Sequence, residues 1–156
     1  MKLDDGFEDA LAAAVLDDVE AKLVGDANNL VHRTVQHSHD ILEAYGARLD
    51  YRVEPIIDSF QTPEVERTDR SITVRYGWDH EAAPFFAMGA SPHTIEGNPL
   101  LSFIWEDAPP EIHDMFPNTE RVDGDPRVFF QSVEHPGLPE SRFIRAGLEW
   151  LRQEVA

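Results

Sequence analysis

The sequence predicts an α+β fold, in which helices at both ends of the chain flank a small antiparallel sheet of about four strands. Apolar residues recur every four positions near the N-terminus, alternate with polar residues in the middle of the chain, and return to helical spacing near the C-terminus. The length of 156 residues suits one domain. We therefore expect residues 1–156 to form a single domain, with a helical region at 1–46, a sheet with long loops at 48–133 and a C-terminal helix at 139–154 packed on the sheet.

The N-terminal third of the chain predicts one long helix or two helices in tandem. The first stretch covers residues 4–24, where one apolar residue falls on every fourth position. Those residues are Phe7, Leu11, Val15, Val19 and Leu23. Gly25 and Asp26 end or loosen this helix, and the apolar pattern then resumes as far as Tyr45, before Gly46 provides a stop.

Alternation predicts the first two strands of the sheet. Residues 71–78 alternate clearly, with Ile72, Val74 and Tyr76 on one face, and residues 48–59 alternate in part, at Leu49, Tyr51 and Val53. The polar segment 61–70 is expected to join these strands as a long hairpin loop.

Two further strands are expected at residues 100–105 and 127–133. Prolines and glycines interrupt residues 79–99, which predicts an ordered loop around a short apolar segment. The acidic segment 106–124 is expected to be a loop with a short helical turn at 112–116.

Charge is the most unusual feature of the composition. Thirty acidic residues against thirteen basic ones give a net charge of −17. This charge disfavours direct binding to duplex DNA and to anionic membranes, because both require basic residues. The acids are scattered along the chain, which favours adaptation to high salt and so a halophilic host. The alternative is a negative face that meets a basic partner.

Targeting and disulfide chemistry are not indicated by the sequence. It contains no apolar run of roughly 20 residues and no basic segment followed by an apolar one at the N-terminus, so we expect no membrane partner and synthesis in a host cytoplasm. The absence of cysteine excludes disulfides and thiolate metal sites.

His93 and His135 are the residues that best suit chemistry. Both lie in turn-like segments beside prolines, and with Glu96 or Glu134 they would form a metal or acid–base site of a small hydrolase. In the structural interpretation, each imidazole instead hydrogen-bonds loop backbone. The sequence has no Gly-x-Ser-x-Gly, P-loop or His-Glu-x-x-His motif, so we predict no catalytic residue, no cofactor and no metal site.

Two segments together resemble the tail-completion, or head–tail joining, family of long-tailed viruses. Residues 83–95 resemble that family's aromatic–x–x–Gly–small loop with a following isoleucine, here supplied by Phe86, Gly89 and Ile95. Residues 135–148 resemble its His-Pro-Gly turn, which leads into the last helix. The likeness covers roughly residues 71–152. The chain departs from the family pattern at Ala90, where a Thr or Ser is usual, and at Arg142, where a proline is usual.

The resemblance implies a structural role for these motifs in assembly. Its residues are Phe86, Gly89, His93, Ile95, His135, Pro136, Gly137, Phe143 and Arg145. Positive backbone dihedrals are expected at Gly89 and Gly137, and Phe143 is expected to anchor the last helix on the sheet.

The function that the resemblance implies is that of a virion protein at the neck or the head-proximal end of the tail. Such a protein would form a ring, of six copies to match the tail symmetry, in contact with other neck and tail proteins, while DNA passes through the lumen without specific binding. The alternatives are a tail terminator, a minor tail protein, a cellular adaptor, or the hydrolase built on His93 and His135.

Overall fold

The computed structural model describes the backbone of residues 5–156 and the side chains from Phe7 onward. It confirms the predicted α+β class. Contacts divide the chain into two compact units. The first unit contains the chain up to Gly89 together with Pro139–Ala156, and the second is Ala90–Leu138. The expectation of a single domain stays a prediction. Among the described residues, no helix combines the length and hydropathy that crossing a membrane would require.

The first unit begins with two helices in tandem, which is one of the two predicted alternatives. Helix α1 spans Asp5–Glu20 and continues into a short π-helical segment, Ala21–Gly25. Helix α2 spans Leu30–Leu49 and is capped by Asn29, whose side-chain oxygen accepts a 2.8 Å hydrogen bond from the His32 N–H. Its C-cap is Asp50, which adopts a left-handed conformation with φ of 59°.

The predicted strand at residues 48–59 is wrong, because that segment contains the end of α2 and a short helix, α3, at Glu54–Asp58. Val53 and Ile56 are buried and Ile57 is half-buried, a spacing that places all three on one side of a helical turn. Pro55 suits the first turn of that helix.

The predicted hairpin loop at 61–70 is also wrong in part. Strand β1, Glu64–Arg67, lies inside it and pairs antiparallel with β2, Ile72–Arg75. The turn between them is closed by Thr68, whose backbone N–H donates to the Ser71 carbonyl at 2.9 Å. All four residues of β1 are exposed, so burial imposes no apolar alternation on its sequence.

The core of the first unit lies where α2, α3, α4 and α6 meet. Helix α4, Ala83–Met88, is a short helix inside the region predicted as a loop, and α6, Phe143–Glu154, starts four residues later than expected. Helix α6 packs along α2, and its first residue, Phe143, contacts Trp78 just after β2 with ring centroids 5.0 Å apart. The buried cluster is Leu42, Val53, Ile56, Ala83 and Phe143.

The second unit is a three-stranded antiparallel sheet in the order β3-β5-β4. The strands are β3, His93–Ile104; β4, Arg121–Val122; and β5, Asp125–His135. The predicted strands at 100–105 and 127–133 thus exist and extend further, and helix α5, Pro110–Met115, provides the predicted turn. The strands form two separate sheets because β1 and β2 pair only with each other.

Candidate assembly site

The two motif segments run side by side in the first unit. The Ser141 N–H donates to the Phe86 carbonyl at 2.9 Å, and the Arg142 N–H donates to the Ala87 carbonyl at 3.1 Å. The Phe86 ring lies edge-on to Tyr45 and Tyr51, with centroids 5.8 and 5.7 Å away. Phe86 therefore fixes the end of α4, and backbone bonds join that end to the segment that starts α6.

Tyr45 gives this junction a second anchor from α2. Its hydroxyl donates a 2.6 Å hydrogen bond to the Pro139 carbonyl, and burial raises the pKa of the phenol. The neutral phenol is the form that donates, so this bond persists at neutral pH.

The same two motifs also meet in the second unit. Ala90 and Leu138 exchange two backbone hydrogen bonds of 2.8 Å. Gly137 has φ of 84°, and a Cβ added there would collide with the Ala90 carbonyl and with the backbone at Pro92. The positive dihedrals predicted for Gly89 and Gly137 are both confirmed, with φ of 77° at Gly89.

The rings of His93 and His135 stack against each other where β3 begins and β5 ends. They are register partners on β3 and β5, and their ring centroids lie 5.1 Å apart. His93 Nδ1 is 2.8 Å from the Ser91 carbonyl, and His135 Nδ1 accepts a 3.0 Å bond from the Gly137 N–H. Both imidazoles thus hydrogen-bond loop backbone, as the structural interpretation expects. Within residues 5–156, no group of three or more His, Asp or Glu side chains is arranged to hold a metal.

The remaining motif residues divide between packing and exposure. Ile95 is half-buried opposite Val133, whereas Pro136 is exposed. The Arg145 side chain is 70% exposed and lies 3.6 Å from Glu149. Of the predicted assembly residues, Arg145 is the charged one whose position suits contact with a partner.

An exposed apolar groove lies beside Arg145 in the first unit. It consists of two adjoining cavities of about 440 and 620 Å³ that share Pro84, Ile144 and Leu148. Met88 is 73% exposed at one end, and Tyr76 lines the other. We call it the α4–α6 groove. Its charged lining residues are Arg75, Arg142, Arg145 and Glu140.

A second exposed apolar surface lies on α1. Phe7, Leu11, Val15 and Val19 share one face of the helix and are between 39% and 55% exposed. We call this face the α1 stripe. On another side of α1, Arg67 of β1 lies 2.7 Å from Asp17 and 2.8 Å from Glu20. These ion pairs link α1 to the β1–β2 hairpin, and the stripe remains exposed.

Comparison with protein-family models, curated proteins and solved structures gave no match to this chain.

The two motifs are recognisable in the sequence, but the α4–α6 groove is not. Ile144 and Leu148 are among the apolar residues at helical spacing near the C-terminus, and such spacing is equally typical of a core-facing helix. No helical periodicity of apolar residues surrounds Met88 in the sequence. The exposure of these residues depends on how α4 and α6 pack, which periodicity does not encode.

Proposed function

We propose that this chain is a structural protein of the head–tail junction of a long-tailed virus, and that it assembles with copies of itself into a ring. The viral part of this proposal is supported by the resemblance of residues 83–95 and 135–148 to the tail-completion family. The assembly part is carried by one structural observation: the first unit exposes two different apolar surfaces, the α1 stripe and the α4–α6 groove.

Two different surfaces favour a ring over a symmetric dimer. A contact between unlike surfaces is heterologous, and it continues from copy to copy until rotation closes it. Six copies would match the symmetry expected of a tail. The net charge of −17 would disfavour tight binding of DNA passing through the lumen. Other neck and tail proteins would then contact the two rims of the ring.

The experiment is the native mass of the purified protein in molar salt, measured by light scattering behind a sizing column and followed by electron microscopy. Molar salt screens the repulsion between copies of a strongly acidic chain. The expected result is one species several times heavier than the 17.7 kDa chain, seen as closed rings with a central hole. A monomer across all protein and salt concentrations would contradict the ring.

Position in the particle requires a second measurement. Imaging virions with the labelled protein should locate it where the tail meets the head. Label along or at the far end of the tail would favour a minor tail protein instead, and a ring that caps the tail tube without touching the head would favour a tail terminator.

The adjacency of His93 and His135 gives the hydrolase alternative its one supporting observation. Elemental analysis of the purified protein distinguishes a metal-dependent hydrolase from a structural protein. Stoichiometric zinc or manganese that is lost in a His93→Ala variant would favour the enzyme. Metal content at background level would leave the pair with its role in the loop backbone.

A further inference from the structure

We infer that the α1 stripe of one copy docks in the α4–α6 groove of the next copy. This inference rests on the self-association in the proposed function and specifies its two surfaces. The occupant of the groove is thus a second copy of this chain. Within one copy both surfaces are exposed, so α1 does not fill the groove of its own unit.

The apolar character of the two surfaces matches. The stripe presents one phenyl ring and three aliphatic side chains over a little more than three helical turns, a length of roughly 18 Å. The groove presents Pro84, Met88, Ile144 and Leu148 between two helices, an arrangement that receives the apolar face of a third helix. Exposed side chains of this size form a patch on the order of 300 Å², which on soluble proteins marks interaction sites.

Their charges are complementary. Helix α1 contains six acidic residues and no basic one. The groove is lined by three arginines and one acid, Glu140, in a chain that has more than twice as many acidic as basic residues. Arg142 and Arg145 share the single carboxylate of Glu149, at 3.7 and 3.6 Å, and Arg75 pairs with Glu66 at 2.9 Å. Glu8, which flanks the stripe, would supply a further carboxylate to the arginines of the next copy.

The absence of cysteine makes the contact directly testable by cross-linking. Leu11→Cys marks the stripe and Leu148→Cys marks the groove, and both positions are at least half exposed. The two single variants are mixed in molar salt and oxidised. We expect a covalent dimer in the mixture, and a ladder of covalent multimers from the Leu11→Cys/Leu148→Cys double variant, because each copy would link to two neighbours.

Matched controls come from the same two helices. Ala10→Cys on α1 and Gln153→Cys on α6 are exposed positions more than 90° around each helix axis from the marked residues. Mixtures that contain either control should give at least about tenfold less dimer than the Leu11→Cys and Leu148→Cys mixture. Equal yields from marked and control pairs would overturn the inference.

Light scattering on the same samples separates failure of this contact from failure of the proposed function. A ring without preferential 11–148 cross-linking would overturn the inference and leave the proposed ring intact. A monomer at all concentrations with no cross-link above the controls would overturn both. As an independent check at the lowest salt concentration at which the wild-type protein assembles, where charge pairs are least screened, Arg145→Glu should weaken assembly by about tenfold or more, and Glu8→Arg in the same chain should restore it. Loss without rescue would count against the charge pairing.

Discussion

The indole Nε1–H of Trp78 donates a 2.9 Å hydrogen bond to Nε2 of His39. This bond joins the strand end after β2 to the middle of α2, and it requires that Nε2 carry no proton. The imidazole also packs against the rings of Trp78 and Phe60, with centroids 5.8 and 6.0 Å away. His39 is therefore held in its neutral form by both its hydrogen bond and its surroundings.

His39 should make stability dependent on pH. Burial lowers the pKa of His39 below its usual value of 6.5, against the weaker opposing effects of Glu43 and Asp40. As pH falls below about 6.5, the unfolded chain binds a proton that the folded protein does not, so the free energy of unfolding decreases. It is at its full value above that pH.

Chemical denaturation at pH 7.5 and pH 5, at fixed molar salt, measures this effect. His39→Gln keeps an acceptor for the Trp78 indole but does not titrate. The wild-type protein should lose more stability between the two pH values than His39→Gln does, since the other titrating groups are common to both. Identical losses would show that His39 does not contribute.

Gly137→Ala should destabilise the protein more than Gly124→Ala. Both glycines have positive φ, 84° and 98°, so each substitution incurs backbone strain of about 1–3 kcal/mol. Only at Gly137 would the new methyl group also collide with backbone, at Ala90 and Pro92; at Gly124 nothing lies within 4 Å. The free energy of unfolding, measured by thermal unfolding, should therefore be lower for Gly137→Ala than for Gly124→Ala by about 1–3 kcal/mol. Equal losses would mean that the Ala90 segment moves away freely.

The sequence predicts the parts of the fold in which burial imposes a period. Helices α1, α2 and α6 and strands β2, β3 and β5 were found in this way, although their ends were not. Strand β1 was not predicted, because all four residues of Glu64–Arg67 are exposed and burial imposes no alternation on them. Residues 48–59 were misread because the spacing of Val53, Ile56 and Ile57 is compatible with helix or strand over so short a run.

The candidate site was predictable only where a residue type or a turn motif marks it in the sequence. Gly89 and Gly137 were identified from motif and residue type, and a meeting of His93 with His135 from their similar turn contexts. The α4–α6 groove brings residues of β2, α4 and α6 together across more than 60 positions of sequence. Such long-range packing leaves no pattern in a single chain.

Gly147→Ala tests how closely α6 approaches α2. A Cβ at Gly147 would collide with the Ser38 hydroxyl oxygen and would lie 3.0 Å from the Thr34 carbonyl. Although alanine favours the helix, overpacking at this contact should cost about 1–3 kcal/mol in the free energy of unfolding. In a Ser38→Ala background the hydroxyl is absent and the loss should be smaller, with a coupling of at least about 0.5 kcal/mol. Additive losses would show that the two positions are independent.

Arg142→Pro should be among the most damaging substitutions in this chain, although a proline is usual at this position in the family that the motif resembles. Arg142 has φ of 60°, which proline does not adopt, and its N–H donates to the Ala87 carbonyl. We expect a loss of about 3 kcal/mol or more on thermal unfolding. Arg142→Gly suits the same φ and should stay within about 1 kcal/mol of wild type. A tolerated proline would mean that this turn adopts the family's conformation instead.

Arg67→Ala should loosen α1 from the β1–β2 hairpin without unfolding the rest of the protein. The guanidinium contacts Asp17 and Glu20, and it also donates to the Ala13 carbonyl at 3.4 Å. Solvent screening makes each exposed ion pair of this kind weak, so losing both should accelerate exchange of the α1 backbone amides only modestly, by about fivefold. Hydrogen exchange followed by mass spectrometry measures this directly. Arg127→Ala, which removes a 2.7 Å pair with Glu120 in the second unit, is the matched control and should leave α1 unchanged.

Salt separates the charge of Arg67 from its packing. The Debye length falls from about 10 Å at 0.1 M to about 3 Å at 1 M. The α1 amides of Arg67→Ala and of wild type should therefore differ less in exchange rate as the salt concentration rises. If it does not shrink, the arginine holds α1 mainly through the contacts of its aliphatic stem, and Arg67→Met should then exchange like wild type. If the α1 amides exchange equally fast in wild type, Arg67→Ala and Arg67→Met at low salt, the hairpin does not hold the helix. The order of α1 in an assembly would then come from contact with the neighbouring copy.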